Sequence, residues 1–436
     1  MNLAAATGTE IERALRAHSL PGLEDLAGRE DFVFPHYSAY SVANVPATVA
    51  GLLGAELPAA APPLPGELWS DLIPAARRVV LVVLDAVGYR TLCSMLDQGD
   101  PVLRRLVDAG RFLPLTTVFP STTISALTTL WTGVTPLEHG LLGTRLLLSP
   151  EGVLASMLHL SPLVHSERDE LLDWGLKPEE FVPVPGVGTQ LSRQGIATTS
   201  HTYGYFLGSG LSRIFLRGVD QVTGFVAFSD AWINLRQDLA RPGDERSFLS
   251  VYWGGFDAVG HRYGPEGEHA RVELRYLFRT LWEDCLAPLP ASARQGTVML
   301  LVADHGQLPT PRKRAVWLPT HPALMETLLF QPAGEARAAY LYPRSGQADV
   351  LRDYVTEHLA DRFVLLETER ALAAGLFGPR EASPRFRSRL GDFLLLARDD
   401  ARLVVEEGAL DMAGHHGSLT PREMLVPLLI VPLGEV

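Results

Sequence analysis

Cysteine is nearly missing. Cys93 and Cys285 are the only two in 436 residues, far apart and set among apolar or helical neighbours. This excludes a disulfide framework and a thiolate zinc site, and two buried free thiols are expected. Long hydrophobic runs are missing as well, and no apolar stretch reaches the length that crosses a bilayer. The opening "MNLAAATGTEIERALRAHSL" has no basic start followed by a continuous apolar segment, so a cytoplasmic location is expected rather than secretion. Positive charge is in deficit: 38 Lys plus Arg stand against 50 Asp plus Glu, for a formal net charge of −12. Neither a nucleic-acid polymer nor an anionic membrane is expected as a partner. Internal repeats and low-complexity tracts are likewise absent.

The chain does have core-forming material, with 47% hydrophobic residues over a length that suits one elaborated α/β domain or two to three smaller units. Residues 1–75 mix a short helical pattern with Pro-rich pieces such as "ELPAAAPPLPGELW", and read as an irregular arm packing on a main domain at 76–436. That domain opens with "RRVVLVVLDAVG". Val79 to Leu84 are apolar on both faces, as in a central parallel strand, and the run ends at Asp85. Two later segments repeat the design. "SFLSVYWGGFDAVGHRYGP" gives a strand near 248–253 followed by Asp257 and His261, and "GTVMLLVADHGQ" gives a strand at 297–302 followed by Asp304 and His305. A last buried strand, "LVPLLIVPL", is preceded by "DMAGHHGSLTPREM". The stretches near 145–245 and 306–410 carry their own helical patterns and Gly/Pro breaks, and read as insertions forming a cap.

Open α/β sheets bind ligands at the carboxyl ends of their strands, so one rim could collect Asp85, Asp257, His261, Asp304, His305 and His416. Three carboxylates and three imidazoles without a thiolate suit two divalent ions, Zn²⁺ first and Mn²⁺ second. Asp257 and His261 are four apart, which places both on one face of a helical turn. Taken singly, such pieces also arise as helix caps, turns and chance; taken together, each beside an apolar strand, they are hard to explain that way.

In the order "VVLVVLDAVG", "FPSTTISALTTLWTGVTPLEHG", "GGFDAVGHRYGP", "VADHG" and "GHHGSLTPREMLVPLL", the chain resembles the alkaline phosphatase superfamily, in its type I phosphodiesterase / nucleotide pyrophosphatase branch. The resemblance implies a three-layer α/β/α fold with a mostly parallel central sheet and inserted cap segments. Counting back nine residues from Thr132-Gly133 makes Thr123 the implied nucleophile. One ion would be held by Asp85, Thr123, Asp304 and His305, and the other by Asp257, His261 and His416. The substrate implied is a small phosphate ester, hydrolysed in two in-line displacements through a phosphothreonine. Thr123 also begins "TISALTTLW", a helix pattern with Gly133 as its stop, so its hydroxyl would sit at a positive helix terminus.

Phosphodiesterase relatives carry an Asn shortly after the H-G turn. Here Thr144 stands in its place, followed by Arg145, and either could contact a phosphate oxygen. In "HHG" the family pattern selects His416 and leaves His415 as a neighbour, while His139 of "LEHG" is expected to be structural. "HTYGYFLGSG" offers His201, Tyr203 and Tyr205, and "TPRKRAVWLPTHP" offers Arg312, Lys313 and Arg314, as substrate contacts. The competing activities on this scaffold are a phosphomonoesterase, a phosphonate hydrolase and a phosphomutase. A sulfatase is excluded by the lack of C-x-P-x-R at the nucleophile, and a non-catalytic binding domain fits poorly with a complete ligand set.

Overall fold

Because Val79 to Leu84 present no polar face, both sides of that strand have to be covered, and Arg78–Leu84 lies fully buried at the centre of a seven-stranded sheet. The computed structural model describes residues 7–26, 32–72, 76–165, 167–243 and 245–436. In spatial order the strands are Arg111–Thr116, Leu425–Pro432, Thr297–Val302, Arg78–Leu84, Ser247–Trp253, Ala197–Tyr203 and Gln221–Phe225. Leu84 pairs in parallel with Trp253, and Val83 with Val302, so these strands end level with one another. Asp85, the turn before Asp257, and Asp304 therefore leave the sheet at one edge.

Leu425–Pro432 runs antiparallel to both of its neighbours, and all the other strands run the same way. Its reversed direction matters: the rim receives the beginning of this strand, and hence the loop that carries His416 just upstream. The same edge takes the end of Arg111–Thr116, which pairs through Thr116 with Leu425 and leads to Thr123.

A second, antiparallel seven-stranded sheet is ordered Phe363–Glu367, Phe393–Ala397, Ala338–Leu341, Ala333–Gly334, Arg145–Leu148, Val153–Ser156 and Ser161–Pro162. It unites pieces of both stretches anticipated as cap insertions. Ala197–Tyr203 and Gln221–Phe225, from the first of those stretches, lie instead in the central sheet. Phe34, Val42, Val49 and Leu64 from the Pro-rich N-terminal region are buried in the same apolar core as the central strands, and a smaller cluster around Val316, Leu351 and Leu395 backs the outer sheet. Cys285 is buried as expected, but Cys93 is only half-buried, because its helix lies on the surface of the sheet. Among the described residues no helix is long and apolar enough to cross a membrane.

Candidate active site

The helix Thr123–Thr132 starts with Thr122 in an extended conformation and stops at Gly133, whose φ of 82° is left-handed. Thr122 does not cap it; its hydroxyl faces that of Thr144 at 3.4 Å. The Ser125 amide bonds the Thr122 carbonyl at 3.1 Å, and the Thr123 and Ile124 amides are left for another acceptor. The Thr123 hydroxyl turns to the sheet rim, 3.0 Å from His305 Nε2 and 3.5 Å from Asp85 Oδ1. Its two hydroxyl neighbours are engaged elsewhere: Ser121 donates to the Ser418 carbonyl and accepts from the Gly417 amide.

Asp85 and Asp304 are both buried, and His305 Nε2 stands 3.3 Å from an oxygen of the first and 3.5 Å from one of the second. Asp257 and His261 share the helix Gly255–Tyr263, with 3.2 Å between carboxylate and Nε2, and His416 Nε2 lies 3.7 Å from the same carboxylate oxygen. Donor atoms of Asp257, His261 and His416 fall within 4.8 Å of one another, as do those of Asp85, Asp257 and His305. Asp257 therefore reaches both halves of the expected ligand set. His305 and His416 stack, with ring centroids 3.9 Å apart.

Several features fit divalent cations at this place. His261 Nδ1 donates to the Gly414 carbonyl at 2.7 Å, His305 Nδ1 to that of Gly306 at 3.0 Å, and His416 Nδ1 to that of Ser121 at 3.0 Å. Each backbone carbonyl fixes the tautomer and leaves the Nε2 lone pair turned inward, as metal-ligating histidines require. The fully buried Asp304 Oδ2 has no hydrogen-bond partner among the described residues, an expensive arrangement unless a cation meets it. Burial, then the charges of Asp304 and Asp257, push the Asp85 carboxyl well above the usual range, and burial with the Asp257 charge pushes Asp304 to about 7. Asp257 moves the other way. Burial opposes the shift, but the adjacent His261 and His416 hold its carboxyl below the ordinary value, while Asp257 raises His261 to about 9 against the effect of burial.

Three further side chains complete the cluster that the sequence pattern did not single out. Tyr252, the penultimate residue of its strand, donates its hydroxyl to Asp85 Oδ2. Gln307 donates to Asp257 Oδ1 at 2.9 Å. Glu335 accepts the Thr144 amide proton at 2.6 Å. A weak signal existed for the first two, which flank "GGFD" and "ADHG"; nothing in "PAGEARAAY" marks Glu335.

Two cavities open from Thr123. The first, about 290 Å³, is walled by Trp131, Tyr203, Tyr205, Phe206 and Phe215 and reaches Asp85 and Asp257. The second, about 250 Å³, holds Thr144, Arg145, Glu335, His261 and His416 under a wall of Ala, Leu and Val side chains. Tyr203 and Tyr205 line the first cavity, but His201 does not reach it: it is buried in its strand 3.1 Å from Asp238. Arg312 is not brought to either cavity. It pairs with Asp411 at the surface at 2.8 Å, and Arg314 pairs with Asp400 at 2.8 Å. His415 packs beside His261 and bonds Thr310 at 2.6 Å. His139 is buried, accepts the Leu141 amide at 3.1 Å and faces the Thr129 hydroxyl, a structural arrangement.

The model of the type I phosphodiesterase / nucleotide pyrophosphatase family matches residues 79–153 and 197–419, covering every rim residue described above. The chain belongs to that family. Membership makes it a phosphate-ester hydrolase by class, and the Asp/His groups are able to hold metal. The unmatched residues 154–196 fall in the outer part of the antiparallel sheet and the short helices after it. Murine ectonucleotide pyrophosphatase / phosphodiesterase 5, solved with AMP, superposes with a TM-score of 0.60 at 15% identity over 80% of this chain and 87% of its own. Its human counterpart gives 0.60 at 16%, over 81% and 87%. Phosphonoacetate hydrolase of Sinorhizobium meliloti, solved with phosphonoformate, gives 0.59 at 18%, over 81% and 90%. These likenesses establish the alkaline-phosphatase-like fold. Comparison with curated proteins gives no match.

Proposed function

We propose that this family member is a two-metal phosphodiesterase or nucleotide pyrophosphatase that works through a phosphothreonine at Thr123. The observation that carries the reading is the pair of cavities meeting at the Thr123 hydroxyl, each also bordered by Asp257. A diester has two arms on one phosphorus and needs room on both sides of the nucleophile; a monoester needs only one.

Asp85, Thr123, Asp304 and His305 would hold one ion and Asp257, His261 and His416 the other, with Zn²⁺ favoured by the imidazole and carboxylate donors and Mn²⁺ also suited. Bound there, divalent ions supply positive charge for the phosphoryl oxygens and lower the pKa of the hydroxyl. The protein's own part begins with orientation. The N-terminus of the Thr123–Thr132 helix offers amides and the positive dipole end to the phosphoryl group. Attack forms the Thr123 O–P bond and releases the first alcohol; water then breaks that bond and frees a phosphate monoester. Tyr203 and Tyr205, with ring centroids 5.1 Å apart, give the first cavity a flat aromatic wall suited to a base or another planar arm.

Hydrolysis of a carboxylated phosphonate, as the name of the Sinorhizobium relative describes, fits less well. Such a substrate wants a free cation beside the metals, and Arg145 is already held by Glu406 at 2.8 Å. Rates on bis-p-nitrophenyl phosphate, p-nitrophenyl phosphate and the p-nitrophenyl ester of a nucleoside 5′-phosphate, compared with zinc present, test the proposal. The diesters should be preferred, and a higher kcat/KM on the monoester would overturn it.

A further inference from the structure

Two carboxylates of the second cavity belong to neither ligand group: Glu406 is largely exposed and paired with Arg145, whereas Glu335 borders the cavity beside Thr122, Thr123 and His416. Glu335 follows Gly334, whose φ of 77° turns the chain between two short strands. Its β-carbon packs on Gly417, the residue after His416, so closely that a Cβ on Gly417 would lie 2.7 Å from it. Its Oε1 accepts the Thr144 amide at 2.6 Å, and Thr144 in turn meets the Thr122 hydroxyl. The carboxyl is therefore wedged between the His416 loop and the start of the Arg145–Leu148 strand, fixed in direction and facing into the cavity beside Thr123.

That placement has two chemical consequences. The amide of Thr144, which could have bound a phosphate oxygen, is occupied by Glu335. Negative charge is added on this side of the site, and the one nearby guanidinium, Arg145, is shared with Glu406. Burial raises the Glu335 carboxyl above the ordinary value, and the hydrogen bonds from Thr144 and Thr122 and the charge of Arg145 offset that rise only in part. The apolar part of the wall, including Ala333, Ala336, Leu403, Val404 and Met412, carries no charge.

We infer that Glu335 sets the charge selectivity of the second cavity: it accepts an uncharged or hydrogen-bond-donating ester arm and disfavours a second negative charge on or next to the phosphoryl group. Singly charged phosphodiesters are then processed in preference to doubly charged monoesters. The inference rests on the phosphodiesterase reading and names the residue that enforces it.

Glu335→Gln keeps the acceptor for the Thr144 amide and removes the charge. The ratio of kcat/KM for bis-p-nitrophenyl phosphate to that for p-nitrophenyl phosphate should fall about ten-fold, equivalent to about 1.4 kcal/mol of lost discrimination, chiefly through a lower KM for the monoester. Binding of inorganic phosphate to the zinc-loaded protein, followed by calorimetry, should tighten by a similar factor. An unchanged ratio and an unchanged phosphate affinity overturn the inference. If the wild-type protein turns over neither ester, the phosphodiesterase reading fails, and the phosphate affinity of the variant decides the role of Glu335 on its own. Glu335→Ala serves the same two measurements if the Gln variant does not fold.

Discussion

At the scale of single residues, the site depends on which of three adjacent hydroxyls faces the rim. Ser121 is engaged with the Ser418–Gly417 backbone and Thr122 with Thr144, while Thr123 alone lies beside Asp85 and His305. Thr123→Ala should reduce turnover of bis-p-nitrophenyl phosphate by about 10³-fold or more while zinc stays bound through Asp257, His261 and His416. Substantial residual activity would move the nucleophile to Thr122 or Ser121. Tyr252 supports the same place from behind, since its hydroxyl occupies Asp85 Oδ2 and leaves Oδ1 on the side of Thr123. Tyr252→Phe should weaken zinc binding by about 10-fold, in the range seen for groups that orient metal ligands; titration with a chromogenic chelator would read it, and an unaltered affinity would show that Asp85 needs no such partner.

At the scale of elements, the site is made by strand ends and by one reversal. Arg78–Leu84, Ser247–Trp253 and Thr297–Val302 deliver their following residues, and Leu425–Pro432, running the other way, delivers its preceding loop. The His416 loop is then tied down locally. Arg337 pairs with Glu423 at 2.6 Å, both fully buried, and Glu423 accepts the Ser418 amide at 2.9 Å, so the pair anchors the turn just past His416. Gly417 sits within that turn at a φ of 126° against Glu335. Gly417→Ala adds a side chain to a backbone that resists one and to a space that lacks room, and should cost about 1–3 kcal/mol of stability together with zinc occupancy at His416. Thermal denaturation and metal analysis of the purified variant check this; a protein of wild-type stability and full metal content would refute it.

At the scale of the whole molecule, enclosing three carboxylates, two of them fully buried, beside three imidazoles at the edge of the main core is unfavourable without added positive charge. The raised carboxyls of Asp85 and Asp304 are the signature of that conflict. Metal bound only by the folded chain stabilises it by mass action, about 4 kcal/mol when the free ion is a thousand times its Kd. Chelation with EDTA should accordingly lower the melting temperature by several degrees, and added zinc should restore it. A melting curve indifferent to chelator would argue that the cluster is not a strong metal site.

Much of this was legible in the chain itself because the signals were local. Apolar runs with two covered faces mark the central strands, the four-residue spacing of Asp257 and His261 marks a helical turn, and Gly133 marks a helix stop. Long-range pairing was not legible. The placement of Ala197–Tyr203 in the central sheet, the joining of both expected cap segments into one antiparallel sheet, and the surface pairing of Arg312 depend on contacts between distant residues that no window of sequence contains. The sequence by itself determined the residue types at the rim and the strands that carry them, because hydrophobic period and motif spacing are properties of neighbours. Only the tertiary structure decided that Glu335 and Tyr252 join the site and that two cavities meet at Thr123, because side chains separated by up to about three hundred positions become neighbours only when the sheets close around them.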